Sequence, residues 1–393
     1  MQASSTVFSQ IIATLYRSEF SRCAEQFPLE RPPRGLSAYD QFLAQIFGQL
    51  TCRESLRDII CCLGAKRSLI YHLGFRGRIT RTNLAYANHH RDWRVFWAAA
   101  QILMRRASRL YQGDQPDPDL PNVAFALDSS IIALSLDLFP WAYYARSRHA
   151  AMKLHLMLSL QGNLPAWAAL TEADFPDMKV LDQIPAIAGA YYVMDRGYLD
   201  FMRLFRLHQA GAFFVVRNRR DVKFRVISSR PVDKGTGLRC DQTISLTSNW
   251  SVKSYPQYLR RIVFCDSENQ IRLVLLTNHF DVPALTIANL YHNRWQVELF
   301  FKWIKQHLRL RSFYGRSDNA VRSQMWSAIC AYLMVAIVRK RLKIQKSLNE
   351  ILQIVSVSIF EQMPLEQLLA PQPLCSDQNT ADELSQNLLP LNC

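Results

Sequence analysis

The apolar positions of the first 110 residues recur at helical spacing. Phe42, Ile46, Phe47 and Leu50 share one side of a helix expected over Ser37–Leu50, and Leu56, Ile59 and Ile60 do the same over Arg53–Leu63. Further helices are expected over Ser68–Leu73, Asn83–His89 and Asp92–Tyr111, joined by basic stretches at Ala65–Arg67 and Phe75–Arg81. The run Gln112–Pro121 then holds three prolines and three acids in ten residues and can continue neither helix nor sheet.

Beyond it the pattern shortens. Strands are expected at Val123–Leu127, Ile131–Leu134, Lys153–Leu160 and Ala166–Leu170, the last two joined by the turn Gln161-Gly162-Asn163. A helix over Met178–Ile184, a strand at Tyr191–Met194, a helix over Leu199–Gln209 and a strand at Ala212–Val216 follow. From Arg217 to about Asn278 the chain reads as strands and turns, and long helices over Pro283–Leu308 and Asn319–Lys343 close it. This order predicts an α/β core that carries a β-rich insertion.

Charge changes the picture. The 393 residues carry 47 Lys and Arg against 32 Asp and Glu, a net +15. Ser347–Cys393 has no Lys or Arg and six acids, so residues 1–346 carry +21. A basic body of that size points to a polyanion, nucleic acid before anionic membrane. The longest apolar run, Met325–Val338, is shorter than the roughly 20 residues a span requires and reads as a buried helix. Met1–Thr14 has no signal-type pattern. Nine cysteines without a Cys-x-x-Cys pair suit a reducing cytosol better than a disulfide framework or zinc site, and Cys61-Cys62 reads as packing.

Three acids stand out. Asp128 and Asp195 each follow an apolar strand, where α/β proteins present ligand groups at the sheet rim, although single acids there are often caps or turn formers. The third lies in Tyr291-His-Asn-Arg294-Trp-Gln-Val-Glu298 with Lys305 further on. On one continuous helix Tyr291, Arg294, Glu298 and Lys305 fall at about 0°, 300°, 340° and 320°, with Lys302 near 20°. Val297, Leu299, Phe300, Trp303 and Ile304 take the other side. A solvated stripe with an Arg294–Glu298 pair gives the same periodicity. Phosphodiester transfer would use these groups differently, with carboxylates for two divalent ions and cations for the DNA phosphates. His155 shares a strand face with Lys153 and is expected to be structural, and His89-His90 lacks metal-ligand spacing.

At these residues the chain resembles bacterial insertion-sequence transposases of the DDE class, in the group named after insertion sequence four. The signature Tyr-x2-Arg-x3-Glu-x6-Lys is matched by Tyr291, Arg294, Glu298 and Lys305, the second acid's setting by Asp195-Arg196-Gly197-Tyr198, and the first by Asp128-Ser129. The region around Trp93, with Arg53–Asp58 and Tyr71–Gly74, looks like that group's N-terminal helical domain.

The resemblance implies an RNase-H-like core with Asp128 on its first strand, Asp195 after its fourth and Glu298 on a later helix. It divides the chain into a helical DNA-binding domain (1–111), a linker (112–121), a catalytic domain (122–346) with a β-rich insertion at about 219–280, and an acidic segment (347–393). The implied cofactor is Mg²⁺, two ions per site, with Mn²⁺ as a substitute. The implied partners are double-stranded DNA, namely the element's terminal inverted repeats and the target, bound by a homodimer on paired ends in the bacterial cytoplasm at the nucleoid, with no membrane. Some relatives cut through a hairpin in which a flipped base stacks on an aromatic. Trp250 is the candidate by position, with a core tryptophan as the other reading, and Arg217 is preferred over Arg219 and Arg220 as a phosphate-binding arginine. A transposon-derived DNA-binding protein without cleavage and a nuclease without strand transfer are the other functional readings.

Overall fold

The computed structural model describes residues 5–31, 35–114, 122–144, 149–266, 271–307 and 313–370. Before residue 111 its regular elements are helical: α1 (Val7–Ile12), α2 (Arg17–Glu25), α3 (Ala38–Leu50), α4 (Leu56–Ala65), α5 (Arg81–His90) and α6 (Arg94–Leu110). Ser37 and Ser55 start α3 and α4 as capping boxes with Asp40 and Asp58, each pairing a hydroxyl with one free amide and a carboxylate with another. The helix expected over Ser68–Leu73 is only a 3-10 turn at Arg67–Leu69. The α2 helix went unforeseen, because its buried apolar stripe is little more than Phe20 and Cys23. Cys62 packs against the core but Cys61 is exposed, so the packing reading holds for one of the pair.

One sheet of ten strands follows. Its strands are β1 (Ala124–Leu134), β2 (Tyr143–Tyr144), β3 (His149–Ser159), β4 (Leu164–Glu172), β5 (Tyr191–Met194), β6 (Phe213–Arg217), β7 (Phe224–Arg230), β8 (Leu238–Leu246), β9 (Leu259–Asp266) and β10 (Ile271–Thr277). The later helices are α7 (Phe201–Gln209), α8 (Asn249–Ser254), α9 (Ala284–His292), α10 (Trp295–His307), α11 (Asp318–Arg341), α12 (Leu348–Ser358) and α13 (Leu365–Leu369). Strands β4, β3 and β1 pair antiparallel, and β5 and β6 continue the sheet parallel to β1, consistent with an RNase-H-like core. At the β3–β4 turn Gly162 has φ +74°, and an added Cβ would fall 2.1 Å from the Tyr111 ring.

Two corrections bear on the site. The strands expected at Val123–Leu127 and Ile131–Leu134 are one strand, because Asp128, Ser129 and Ser130 pair with β3 opposite Leu156, His155 and Leu154. The helix expected over Met178–Ile184 is a 3-10 helix, Asp177–Asp182. The stretch expected as an insertion holds β7 to β10 and α8. It builds onto the core sheet, since β10 pairs with β6 and sets Leu275 opposite Arg217.

The sheet separates two apolar clusters by strict alternation. Ala124, Ala126, Tyr191, Val193 and Val215 face the cluster built on α9, α10, α11 and the N-terminal helices. Phe125, Leu127, Tyr192, Met194, Phe214 and Val216 face the cluster of α7 and the 3-10 helix. Met325–Val338 is buried throughout within α11, which among the described residues is the one helix long and apolar enough to cross a membrane. It lies inside the protein instead, and α3, α5 and α6 pack on it. Trp93 stacks on Trp326 at 6.5 Å, and the Tyr111 hydroxyl donates to the Ala336 carbonyl at 2.9 Å. The N-terminal helices and the last long helix thus share one core.

Candidate active site

Register places the first two acids. Strands β1 and β5 run parallel with Leu127 opposite Met194, so the next residues, Asp128 and Asp195, are neighbours. Alternation turns both toward α9 and α10. Asp128 lies within β1 and not at its end as expected; β5 stops at Met194 while β1 continues along β3, and the loss of the β5 neighbour is what bares it. Asp195 precedes a 3-10 turn, Arg196–Tyr198, and its carbonyl accepts the Tyr198 amide at 3.0 Å.

The helix expected over Pro283–Leu308 is broken. Helix α9 ends at His292 and α10 starts at Trp295. Between them the ladder tightens to i→i−3 bonds, with Arg294 N–H donating to Tyr291 O and Gln296 N–H to Asn293 O, both at 3.1 Å. Wheel arithmetic therefore fails across this joint, yet the break brings the motif together. The Tyr291 hydroxyl donates to Asp195 Oδ1 at 3.4 Å. Arg294 reaches two acids at once, Nη1 to Asp128 Oδ2 at 3.1 Å and Nη2 to Glu298 Oε1 at 2.5 Å. The solvated-stripe reading does not survive, because Arg294 and Tyr291 are largely buried. Lys305 sits two turns beyond Glu298, half-buried, and burial pulls its ammonium below the usual range. Lys302 is exposed, as is Leu299 on the expected core side, whereas Val297, Phe300 and Ile304 are buried.

Burial pushes the Asp128 carboxyl up to about 6. The Ser129 amide and Arg294 oppose this, while Glu298 and Asp195 add to it. The acids therefore crowd one another, and Arg294 is the cation that relieves them. Among the described residues no three Asp, Glu, His or Cys side chains stand close enough to hold one ion as arranged. The guanidinium bridges Asp128 and Glu298. Yet the donors are hard carboxylate oxygens without sulfur or imidazole, a set that suits Mg²⁺ or Mn²⁺.

Arg217 ends β6 on the face shared with Val215, near enough to Tyr291 to lower its hydroxyl, which burial raises. It lines a cleft of 1080 Å³ with Arg196, Arg219, Arg220, Arg261 and Arg272. Among the described residues no ion pair joins these six arginines to a carboxylate. Sequence reading found only the Arg217–Arg220 run; strand pairing adds Arg261 and Arg272. Trp250 is 61% exposed on α8, which removes the core-tryptophan reading. It lines a neighbouring cavity of 460 Å³ that shares Arg219 and Val222 with the cleft.

His155 is structural, as expected. It is fully buried, and its Nε2 meets Thr171 Oγ1 at 2.9 Å. Thr171 gives its own proton to the Glu172 carbonyl, so Nε2 donates and Nδ1 is a bare acceptor. Burial holds its pKa down to about 4. The folded value lies below the unfolded one of 6.5, so between them only the unfolded chain takes up the proton. Stability from neutral His155 is complete above pH 6.5 and is lost toward pH 4, by about 3 kcal/mol. Urea midpoints across this range should fall less steeply in His155→Leu than in the parent; identical slopes would refute the assignment.

Residues 120–334 match the family described as Transposase DDE domain, and residues 3–76 match a domain of unknown function. The chain is 33% identical over 252 residues to the putative transposase y4zB of Sinorhizobium fredii, across 63% of this chain and 70% of that protein. It is 32% identical over 218 residues to the probable transposase for insertion sequence element IS5377 of Geobacillus stearothermophilus, across 55% and 56%. A putative transposase for insertion sequence element IS4SA of Synechocystis sp. is 24% identical over 276 residues, across 68% and 75%. Among solved structures, a piggyBac transposase synaptic complex with hairpin DNA aligns with 98% of this chain and 84% of that one at 11% identity and a TM-score of 0.39, too slight a likeness to carry an argument. All three acids and the Tyr-Arg-Glu-Lys residues fall inside the matched span. The family match covers more than half of the chain, and the protein belongs to the DDE transposases of bacterial insertion sequences.

Proposed function

We propose that this chain is a transposase of the insertion-sequence-four group, which cuts its element's terminal inverted repeats and joins the freed ends to target DNA. The observation that carries the reading is the convergence of the signature on the acids: Tyr291 on Asp195, and Arg294 on both Asp128 and Glu298. Asp128, Asp195 and Glu298 would hold two Mg²⁺ ions, or Mn²⁺. Such ions supply a polarised phosphate and an activated oxygen nucleophile. Arg294 balances Asp128 and Glu298 in the arrangement described; released from them, its planar fork suits a DNA phosphate. Tyr291 orients Asp195, and Lys305 and Arg217 add positive charge for the backbone.

The exposed Trp250 beside an arginine-lined cleft supports the hairpin route, in which a flipped base stacks on an aromatic side chain. The helices of residues 1–111 supply end recognition, and the protein works as a homodimer on paired ends, in the cytoplasm at the nucleoid. Incubating it with its element's end DNA and Mg²⁺ and mapping the products tests this. Hairpin ends and joined strands are expected; nicks without joining would make it a nuclease, and binding without cuts an inactive derivative.

Three substitutions examine the signature. Arg294→Ala and Lys305→Ala should each slow cleavage at least about tenfold, because a phosphate displaced by about 1 Å loses its alignment. Tyr291→Phe removes one hydrogen bond to Asp195 and should cost about 1 kcal/mol in the transition state. Rescue of Arg294→Ala by added Mg²⁺ would assign the arginine to arranging the acids; absence of rescue would assign it to DNA. Full activity in all three would leave only the acids as the functional set.

A further inference from the structure

A second polar cluster lies behind Asp128, on the sheet face turned away from α9 and α10. Because side chains alternate along β1, Ser129 faces opposite to Asp128, and across the ladder it meets His155, with Lys153 two residues further along β3. Asp177, the first residue of the 3-10 helix after β4, reaches this row. The Ser129 hydroxyl donates to Asp177 Oδ1 at 2.7 Å. Lys153 Nζ donates to the same oxygen at 3.2 Å and to the Phe175 carbonyl at 2.8 Å. Lys153 is only 9% exposed, so this carboxylate and carbonyl replace most of its hydration.

From this side Ser129 still reaches the first acid through its backbone. Its amide donates to Asp128 Oδ1 at 2.8 Å. The 3-10 helix that begins at Asp177 packs against the 3-10 turn after Asp195, which ends at the buried Tyr198. One serine thus joins the carboxylate of the first acid to Asp177. Its own position depends on Asp177.

Resting on the reading of Asp128 as a metal ligand, we infer that Asp177, anchored by Lys153, is a positioning residue that fixes Ser129 and, through it, the Asp128 carboxylate. Asp177 Oδ1 is already shared by a hydroxyl and an ammonium, so it acts through Ser129 and not as a ligand. The charge matters as well as the shape. An asparagine at 177 could still accept from Ser129, but it would leave the Lys153 ammonium without its countercharge, and the anchor would loosen. Ser129→Ala is the cleaner break, since it keeps the Lys153–Asp177 pair and removes only the link. Ser129→Thr restores the hydroxyl with a residue suited to a strand.

The test uses the full-length protein and manganese ion alone. Mn²⁺ binding is measured by titration calorimetry for the parent, Asp128→Asn, Ser129→Ala, Ser129→Thr and Asp177→Asn, with thermal midpoints and the metal dependence of end cleavage alongside. Ser129→Ala and Asp177→Asn should weaken Mn²⁺ binding roughly tenfold and raise the metal concentration for half-maximal cleavage by a similar factor, with Ser129→Thr within about twofold of the parent. The thermal midpoint of Ser129→Ala should stay close to the parent's, and this variant decides if Asp177→Asn folds poorly. Parent-like Mn²⁺ affinity in Ser129→Ala, while Asp128→Asn loses binding, overturns this inference and leaves the metal reading intact. Equal Mn²⁺ binding by the parent and Asp128→Asn overturns the metal reading itself, and the inference with it. An affinity loss that follows a lowered thermal midpoint and is not restored by Ser129→Thr makes the cluster merely structural, and also overturns the inference.

Discussion

Asp128→Asn, Asp195→Asn and Glu298→Gln are each expected to lower end cleavage by at least about a hundredfold while leaving end binding largely intact. Each change removes a charged oxygen donor and preserves volume, so the fold has little reason to respond. Asp128→Asn should even be neutral or mildly stabilising. Its carboxyl is raised to about 6 by burial and by neighbouring acids, so its charge is held at a cost. Arg294 keeps Glu298 as a partner when Asp128 is neutralised. Calcium should support end binding without cleavage, because its looser coordination aligns the reacting oxygens poorly. Cleavage rates on labelled end DNA with Mg²⁺ decide the matter residue by residue: near-parent cleavage in any one variant removes that acid from the site.

Arg260→Met is expected to destabilise the protein by about 3–5 kcal/mol, the largest stability effect of any single change considered. Arg260 and Asp241 pair at 2.7 Å between β9 and β8, with side chains only 2% and 6% exposed. Arg260 also donates to the carbonyls of His279 and Val282, which lead into α9. Removing the guanidinium strands a buried carboxylate and frees two carbonyls of that segment. The damage should extend to catalysis, because α9 delivers Tyr291 to Asp195. Replacing both partners, Arg260→Met with Asp241→Leu, should recover much of the stability, since an apolar pair leaves no charge uncompensated. Urea unfolding measures this, and a cost under about 1 kcal/mol for Arg260→Met would mean that water reaches the pair.

Local information was enough for most elements. The helical spacing of Phe42, Ile46, Phe47 and Leu50 announced α3, and the short apolar runs Val123–Leu127 and Tyr191–Met194 announced strands, because such patterns act within a few residues. The three acids and the Tyr-Arg-Glu-Lys spacing were legible for the same reason, as an ordered set of motifs on short segments. The joint at Asn293-Arg294 was not. Apolar spacing continues across it, and what decides it is the packing of α9 and α10 against the sheet.

The sequence by itself determined which residues are candidates for the chemistry: Asp128, Asp195 and the Tyr291, Arg294, Glu298 and Lys305 spacing. It also placed the basic charge before residue 347, and the β-rich character of the stretch after Arg217. Tertiary structure decided which of those residues meet. The β1–β5 register set Asp128 beside Asp195, and the broken helix carried Arg294 onto Asp128 and Glu298. Cross-strand pairing joined Ser129 to His155, the turn after β4 brought in Asp177, and strand order gathered Arg261 and Arg272 with Arg217. It also left Trp250 in solvent and buried an apolar helix that by composition alone could have crossed a membrane. The physical reason is range: periodicity and caps are set by neighbours within a turn or two, whereas register, helix breaks and burial are set by packing among segments far apart in the chain.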